Sequence, residues 1–236
     1  MKKELKIVIA ILIAVVVTAF SAAKLYQLNT ASEHSAHLPK VEKPTSVTTD
    51  KEATDEPLKE KLVRNDSAAI GPSIANVTIV EFLDPECESC KAFHPVVKRI
   101  LKEYEGQVRF VVRYMGFHRS SAMAVAATEA AGLQGQYWQM QELLFDQADE
   151  WGHRAVPDEA FFIKYAEKLG LDVEVFKKDL NDPKWAQKLS RDMEDGSALG
   201  VVGTPTIFIN GSKLQELTYE AFVDELKLAF LAKKLD

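Results

Sequence analysis

Apolar residues follow two rhythms along this chain, and residues 29–57 follow neither. ANVTIVEFLD, residues 75–84, is rich in β-branched and aromatic side chains and predicts a buried strand. Helical spacing then runs from Cys87 to about Tyr104, where Glu105-Gly106 ends it; Pro95 lies inside and predicts a kink. VRFVVRYM, 108–115, predicts a second strand, so strand, helix and strand imply a parallel pair with a right-handed crossover. From about 118 to 200 only helical spacing is found, with starts at Asp158 and Asp182 and stops at Gly132, Gly170 and Gly200. TIFI, 206–209, then meets Asn210-Gly211, a strong hairpin signal. A last amphipathic helix covers about Tyr219 to Lys234, with Phe222, Leu226, Ala229 and Phe230 on one face. The pattern is an α/β sheet with a helical insertion placed before the hairpin.

The N-terminal quarter is organised differently. Ile7 to Ala23 carries no charge and follows a basic cluster of Lys2, Lys3 and Lys6. Such a stretch reaches about 25 Å as a helix, enough for a thin hydrocarbon core. It reads either as a signal peptide, with Ser21 and Ala23 as small residues near a cleavage site, or as a retained anchor. The basic flank stays in the cytoplasm in both cases, so the remainder is expected outside it, in the cell envelope, on the periplasmic or extracytoplasmic face. Residues 29–57 have almost no bulky apolar side chain and cannot bury enough surface to fold. That favours a tether, and with it the anchor. The expected division is residues 1–28 anchor or signal, 29–66 polar tether and 67–236 folded domain, with PLKEKLVRNDSAAIG as a lead-in.

Charge narrows the partners. The formal net charge is −6, and four of the lysines lie in the first 24 residues, which leaves the remainder more acidic still. Nucleic acid is therefore not expected as a partner.

The chain has two cysteines, Cys87 and Cys90. Cys-x-x-Cys suggests zinc ligation or dithiol redox chemistry. A closed zinc site needs four ligands, and there is no second cysteine pair. A structural disulfide over so short a loop would stabilise little. Redox chemistry uses everything present. Two thiols three positions apart at a helix start can close a disulfide within one turn, and the helix N-terminus favours thiolate on Cys87. Cys87 then attacks a substrate disulfide and Cys90 resolves the mixed disulfide. A chain with no other cysteine cannot scramble its own active pair.

ECESCKAFHP resembles the active-site helix of the thioredoxin-fold superfamily, in which a proline follows the second cysteine by five residues, here Cys90 to Pro95. GTPT, 203–206, resembles that superfamily's cis-proline loop, and the helical block resembles the insertion of the DsbA-like exported thiol-disulfide oxidoreductases. The resemblance extends from about residue 70 to 235. It implies a thioredoxin fold with a helical insertion between the second strand and the cis-proline loop, and no organic cofactor. It implies that Pro205 is cis and that Thr204 with Pro205 shapes a substrate site beside Cys87. It implies that Glu81, six residues before Cys87, is a buried acid that relays the proton of Cys90. Strand alternation agrees, since Val80 and Phe82 point one way and Glu81 the other. Protein thiols and disulfides are the implied substrates, with a membrane partner that resets the pair.

Departures from the family pattern bear on direction. Glu88-Ser89 separates the cysteines, and Glu86 stands where the family has an aromatic residue. Two carboxylates beside Cys87 should offset the helix end, whose effect is about 0.3–1 kcal/mol. Cys87 is therefore expected to be less acidic than the DsbA nucleophile. With the Thr-Pro loop, as in the isomerase-type relatives, this leans towards a reductase or isomerase. The rival reading is a copper- or zinc-handling module using Cys87, Cys90 and His94. His94 reads more simply as one more helix residue, and Trp138, Trp151 and Trp185 as core.

Overall fold

The structure is a computed structural model and describes residues 60–234. The expected anchor and residues 29–59 of the tether lie outside the described residues. Among the described residues no helix is long and apolar enough to cross a membrane.

The sheet is built around β2 (Val77–Leu83). It pairs in parallel with β3 (Val108–Tyr114), from Val77 opposite Val108 to Leu83 opposite Tyr114. Helix α1 (Glu88–Glu103) makes the crossover. On the other side of β2 lies antiparallel β4 (Thr206–Ile209), which turns through Asn210 and Gly211 into β5 (Ser212–Lys213). Both turn residues have positive φ, 48° and 91°, as a two-residue hairpin of this sequence requires. One strand escapes the sequence pattern. The two-residue β1 (Ala69–Ile70) adds antiparallel to the far edge of β3 and gives the order β1-β3-β2-β4-β5. Two residues are too few to show alternation.

The two faces of β2 have different neighbours. Val77, Ile79 and Leu83 pack with Phe93, Val97 and Ile100 of α1 and with Phe222 and Leu226 of α8 (Tyr219–Ala232). Val80 and Phe82 point to the opposite face, with Val111, Met115 and Phe208. Full cover on both faces explains why the strand is apolar throughout.

Between β3 and β4 come α2 (Ser121–Leu133), α3 (Tyr137–Asp146), α4 (Ala148–Trp151), α5 (Glu159–Lys168), α6 (Val173–Leu180) and α7 (Lys184–Ala198). This is the expected insertion. It has its own core of Ala127, Ala130, Ala131, Trp151, Phe162, Tyr165 and Phe176. Alanines along α2 let the neighbouring helices approach closely. Trp151 and Trp185 are buried there and Trp138 is half-buried. Asp158 caps α5 by accepting from Ala160 N at 3.0 Å, and Asp182 accepts from Lys184 N at 2.9 Å.

Two local expectations need correction, the stop at Gly132 and the tether assignment of residues 60–66. Gly132 lies inside α2; the chain turns at Gly135, where φ is +77°. Helix α1 continues through Pro95, whose missing N–H leaves one carbonyl of the preceding turn without its donor. Residues 60–66, expected in the tether, are packed against the domain. Leu62 is buried, and Arg64 forms a two-pronged ion pair with Asp195 of α7, both contacts 2.8 Å.

Candidate active site

The site lies at the C-terminal ends of β2 and β3, where α1 begins. Cys87 occupies the cap position of α1 with extended backbone, φ −80° and ψ 123°. Its N–H donates to Asp84 O at 3.0 Å, which closes the turn leaving β2. Cys90 lies one turn in and is 1% exposed, against 9% for Cys87. Both are free thiols in this structure.

The two sulfurs differ in acidity for physical reasons. Cys87 is pulled down from its ordinary 9.0 to about 5. The hydrogen bond from Cys90 contributes most. Partial burial opposes it, and the Thr204 side chain and the N–H groups of Cys90 and Ser89 add to it. Cys90 is pushed far up by burial, by its bond with Cys87 and by the charge of Glu81. The two thiols are thus unequal acids, Cys87 the stronger and Cys90 the weaker.

Thr204 and Pro205 come to this pair from the other side of the insertion. The Thr204–Pro205 peptide is cis. The Thr204 carbonyl lies 3.4 Å from Cys87 Sγ, within reach of a thiol proton. Thr206 Oγ1 donates to Gly203 O at 2.7 Å and ties the loop into β4. Glu81 lies beneath, opposite Ile207 in the sheet and 3% exposed. Burial raises its carboxyl to about 8. The structure therefore brings Cys87, Cys90, Glu81, Thr204 and Pro205 together.

His94 is drawn elsewhere. Its Nε2 lies 2.8 Å from Glu142 of α3, and its ring packs on Phe145 at 4.9 Å between centroids. Among the described residues no group of three or more His, Cys, Asp or Glu is arranged to hold a metal.

The two acids before Cys87 have roles that their charge alone does not suggest. Glu86 is buried and accepts from Ser120 N and His153 N, both at 2.6 Å. Asp84 is fully buried. Its Oδ1 accepts from Glu86 N at 2.9 Å and Ser121 Oγ at 2.6 Å. Its Oδ2 accepts from Phe117 N, His118 N and His118 Nδ1, at 2.9, 3.2 and 2.7 Å. These carboxylates hold the loops after β3 and α4 against the cysteine turn. Cys87 is acidic through hydrogen bonds to its sulfur, and a value of about 5 agrees with the expectation that it is less acidic than the DsbA nucleophile. A sequence signal for Asp84 did exist. Leu83 faces Tyr114 in the register, so an acid one step past β2 must meet the loop that leaves β3.

A family model described as thioredoxin matches residues 64–227, and the chain belongs to that family. The probable disulfide bond formation protein D of Bacillus anthracis is 28% identical over 151 residues, 61% of this chain and 70% of that protein. A Na(+)/H(+) antiporter, NhaA 3 of Salinispora tropica, is 37% identical over 146 residues, and the match spans 61% of this chain but 21% of the antiporter's length. The oxidised BdbD structure from Bacillus subtilis superposes with a TM-score of 0.63 at 23% identity, covering 69% of this chain and 92% of that one. Wolbachia pipientis alpha-DsbA1 gives 0.69 at 20% identity, covering 76% and 99%. The fold is therefore the DsbA-type thioredoxin fold.

Proposed function

We propose that this chain is an extracytoplasmic thiol-disulfide oxidoreductase whose Cys87–Cys90 pair oxidises protein thiols. The carrying observation is the split between an acidic Cys87 at the helix cap and a more deeply buried, non-acidic Cys90 one turn in. Stabilising the Cys87 thiolate stabilises the reduced pair, which makes its disulfide the stronger oxidant. This reading departs from the reductase or isomerase lean drawn from Glu88-Ser89 and the Thr-Pro loop, and the acidity of Cys87 supports it. The name of the Bacillus anthracis relative, a disulfide bond formation protein, points the same way.

In the proposed cycle a substrate thiolate attacks Cys87 Sγ of the oxidised pair. The Cys87–Cys90 bond breaks, and Cys90 takes a proton that Glu81 supplies and later recovers from solvent. A second substrate thiol gives its proton to solvent and attacks the substrate sulfur of the mixed disulfide. Cys87 leaves as thiolate. The substrate gains a disulfide and the pair gains two electrons, which a membrane redox partner removes. Thr204 offers its carbonyl to an extended substrate strand. The exposed Val202, two residues before Thr204, offers apolar contact beside it. The N-terminal apolar stretch holds the domain at the extracytoplasmic face of the membrane.

The test is the reduction potential of Cys87–Cys90 in a glutathione redox buffer. A value nearer about −120 mV than about −270 mV supports an oxidase; the reverse returns the protein to the reductases. Alkaline extraction of membranes checks the anchor, which should stay in the pellet.

A further inference from the structure

His118 lies in the loop after β3 and belongs to none of the motifs that the cysteine pair defines. Its ring is nevertheless fixed from two sides. Nδ1 donates to the buried carboxylate of Asp84 at 2.7 Å, and the ring meets that of His153 edge-on at 5.5 Å between centroids. The Asp84 contact keeps a proton on Nδ1, so Nε2 is the position that gains or loses one. His153 in turn places its Nε2 2.9 Å from Glu88, the residue after Cys87. Asp84, His118, His153 and Glu88 thus form a polar arc beside the nucleophile.

We propose that His118 is a positioning residue for the thiol chemistry: oriented by Asp84, it supplies the positive charge that favours Cys87 as a thiolate. The inference rests on Cys87 being the exchanging sulfur. The groups that act on the ring are Asp84, Cys87 and Glu86, all favouring its charged form, and His153, which would repel it if both rings were protonated. Arg119, the next residue, turns away and donates to Ala155 O at 3.2 Å. Burial works against the imidazolium, yet the Asp84 bond and these charges raise His118 overall. The largest influences on Cys87 are hydrogen bonds and burial, with the His118 charge not among them; the link between the two residues is the attraction that a charged Cys87 exerts on the His118 ring. The interaction is reciprocal. A charge that favours the thiolate must itself be favoured by the thiolate and lose that support when Cys87 enters a disulfide.

The experiment is an NMR titration of the histidine rings in the full-length protein, in dithiol and disulfide forms, from about pH 4 to about pH 9. The His118 midpoint should be about half a unit to one unit higher in the dithiol form. A His118 midpoint equal in the two redox forms overturns the proposal. His118→Gln adds a second reading: the ultraviolet absorbance of the Cys87 thiolate should titrate at higher pH than in the unaltered protein. Should that variant fail to fold, the titration of the unaltered protein still decides. Dithiol exchange measured on the same samples separates the claims. Exchange with an unmoved His118 removes only the role of His118, whereas absent exchange removes the function itself.

Discussion

Glu81 and Cys90 share the apolar layer between the central strand and α1, and a charge on Glu81 makes Cys90 harder to ionise. Both are almost fully buried. The Glu81 charge is one of the forces pushing the Cys90 thiol up, and burial alone lifts the Glu81 carboxyl to about 8. The layer can hold one negative charge at a time at tolerable cost, so the two acids titrate as a coupled pair. That coupling makes proton transfer between them chemically reasonable.

A buried acid with a raised value costs stability as pH rises. The unfolded carboxyl ionises near its ordinary 4.5, while the folded one waits until about 8. Stability is therefore least affected below 4.5 and falls as pH climbs to about 8. Glu81→Gln should be more stable than the parent at pH 8, by about 4 kcal/mol, and the gain should vanish near pH 4. Urea unfolding at both pH values measures this. A variant destabilised equally at both would mean that the carboxyl makes structural bonds instead. The same variant should slow the release of Cys90 from its disulfide near neutral pH.

Cys87 has the opposite sign. Its folded value of about 5 lies below the ordinary 9.0. It stabilises the reduced domain fully above pH 9, partly between 9 and 5, and not at all once pH falls through 5. The reduced form should therefore gain on the disulfide form with rising pH across that window. Denaturation of the two redox forms at pH 5 and pH 8 checks it, and an unchanged difference would contradict the acidity of Cys87. Iodoacetamide should label Cys87 down to about pH 5 and leave Cys90 untouched in the folded state. Cys90→Ser should accumulate mixed disulfides through Cys87 that Cys87→Ser cannot form.

Much of the fold was legible because its physical causes are local. The two long strands, the crossover helix and the Asn210-Gly211 hairpin all carry their own periodicity or turn chemistry. The cysteine turn and the Thr204-Pro205 loop were legible through a resemblance of motifs. What escaped depends on partners distant in sequence. β1 exists only because β3 has a free edge. Residues 60–66 belong to the domain because Asp195 and the Val80 face of the sheet receive them. Glu86 read as a charge against the thiolate, since nothing local shows that Ser120 and His153 donate to it.

Asp84 should be the least replaceable of these acids. It takes five hydrogen bonds while fully buried, from the cysteine turn, the loop after β3 and the start of α2. Asparagine keeps the shape but turns one acceptor into a donor facing other donors. Asp84→Asn should lose about 2–4 kcal/mol of stability. The activity of the folded fraction should also fall, because Cys87 N donates to the Asp84 carbonyl and the turn moves with it. Thermal unfolding together with a thiol-exchange assay measures both; a variant unchanged in both would show that the loops hold themselves.

The charged cluster on the far side of the sheet predicts stability without chemistry. Arg113 of β3 is fully buried and lies 2.9 Å from Asp192 and 2.7 Å from Asp195 of α7. It also donates to the Lys61 carbonyl, and Arg64 holds Asp195 from the lead-in. One buried cation thus joins sheet, insertion and lead-in. Arg113→Met leaves two buried carboxylates and should cost about 3–5 kcal/mol. Arg64→Met, at a half-exposed site, should cost about 1 kcal/mol or less. Adding Asp192→Asn to Arg113→Met should recover part of the loss, because the surplus negative charge is then reduced. A double-mutant cycle by urea unfolding gives the coupling. Additive losses would show that Arg113 acts through packing on Phe82, 5.4 Å from its ring centroid, and not through charge. The thiol chemistry of the folded fraction should be unaffected, since Arg113 lies across the sheet from Cys90.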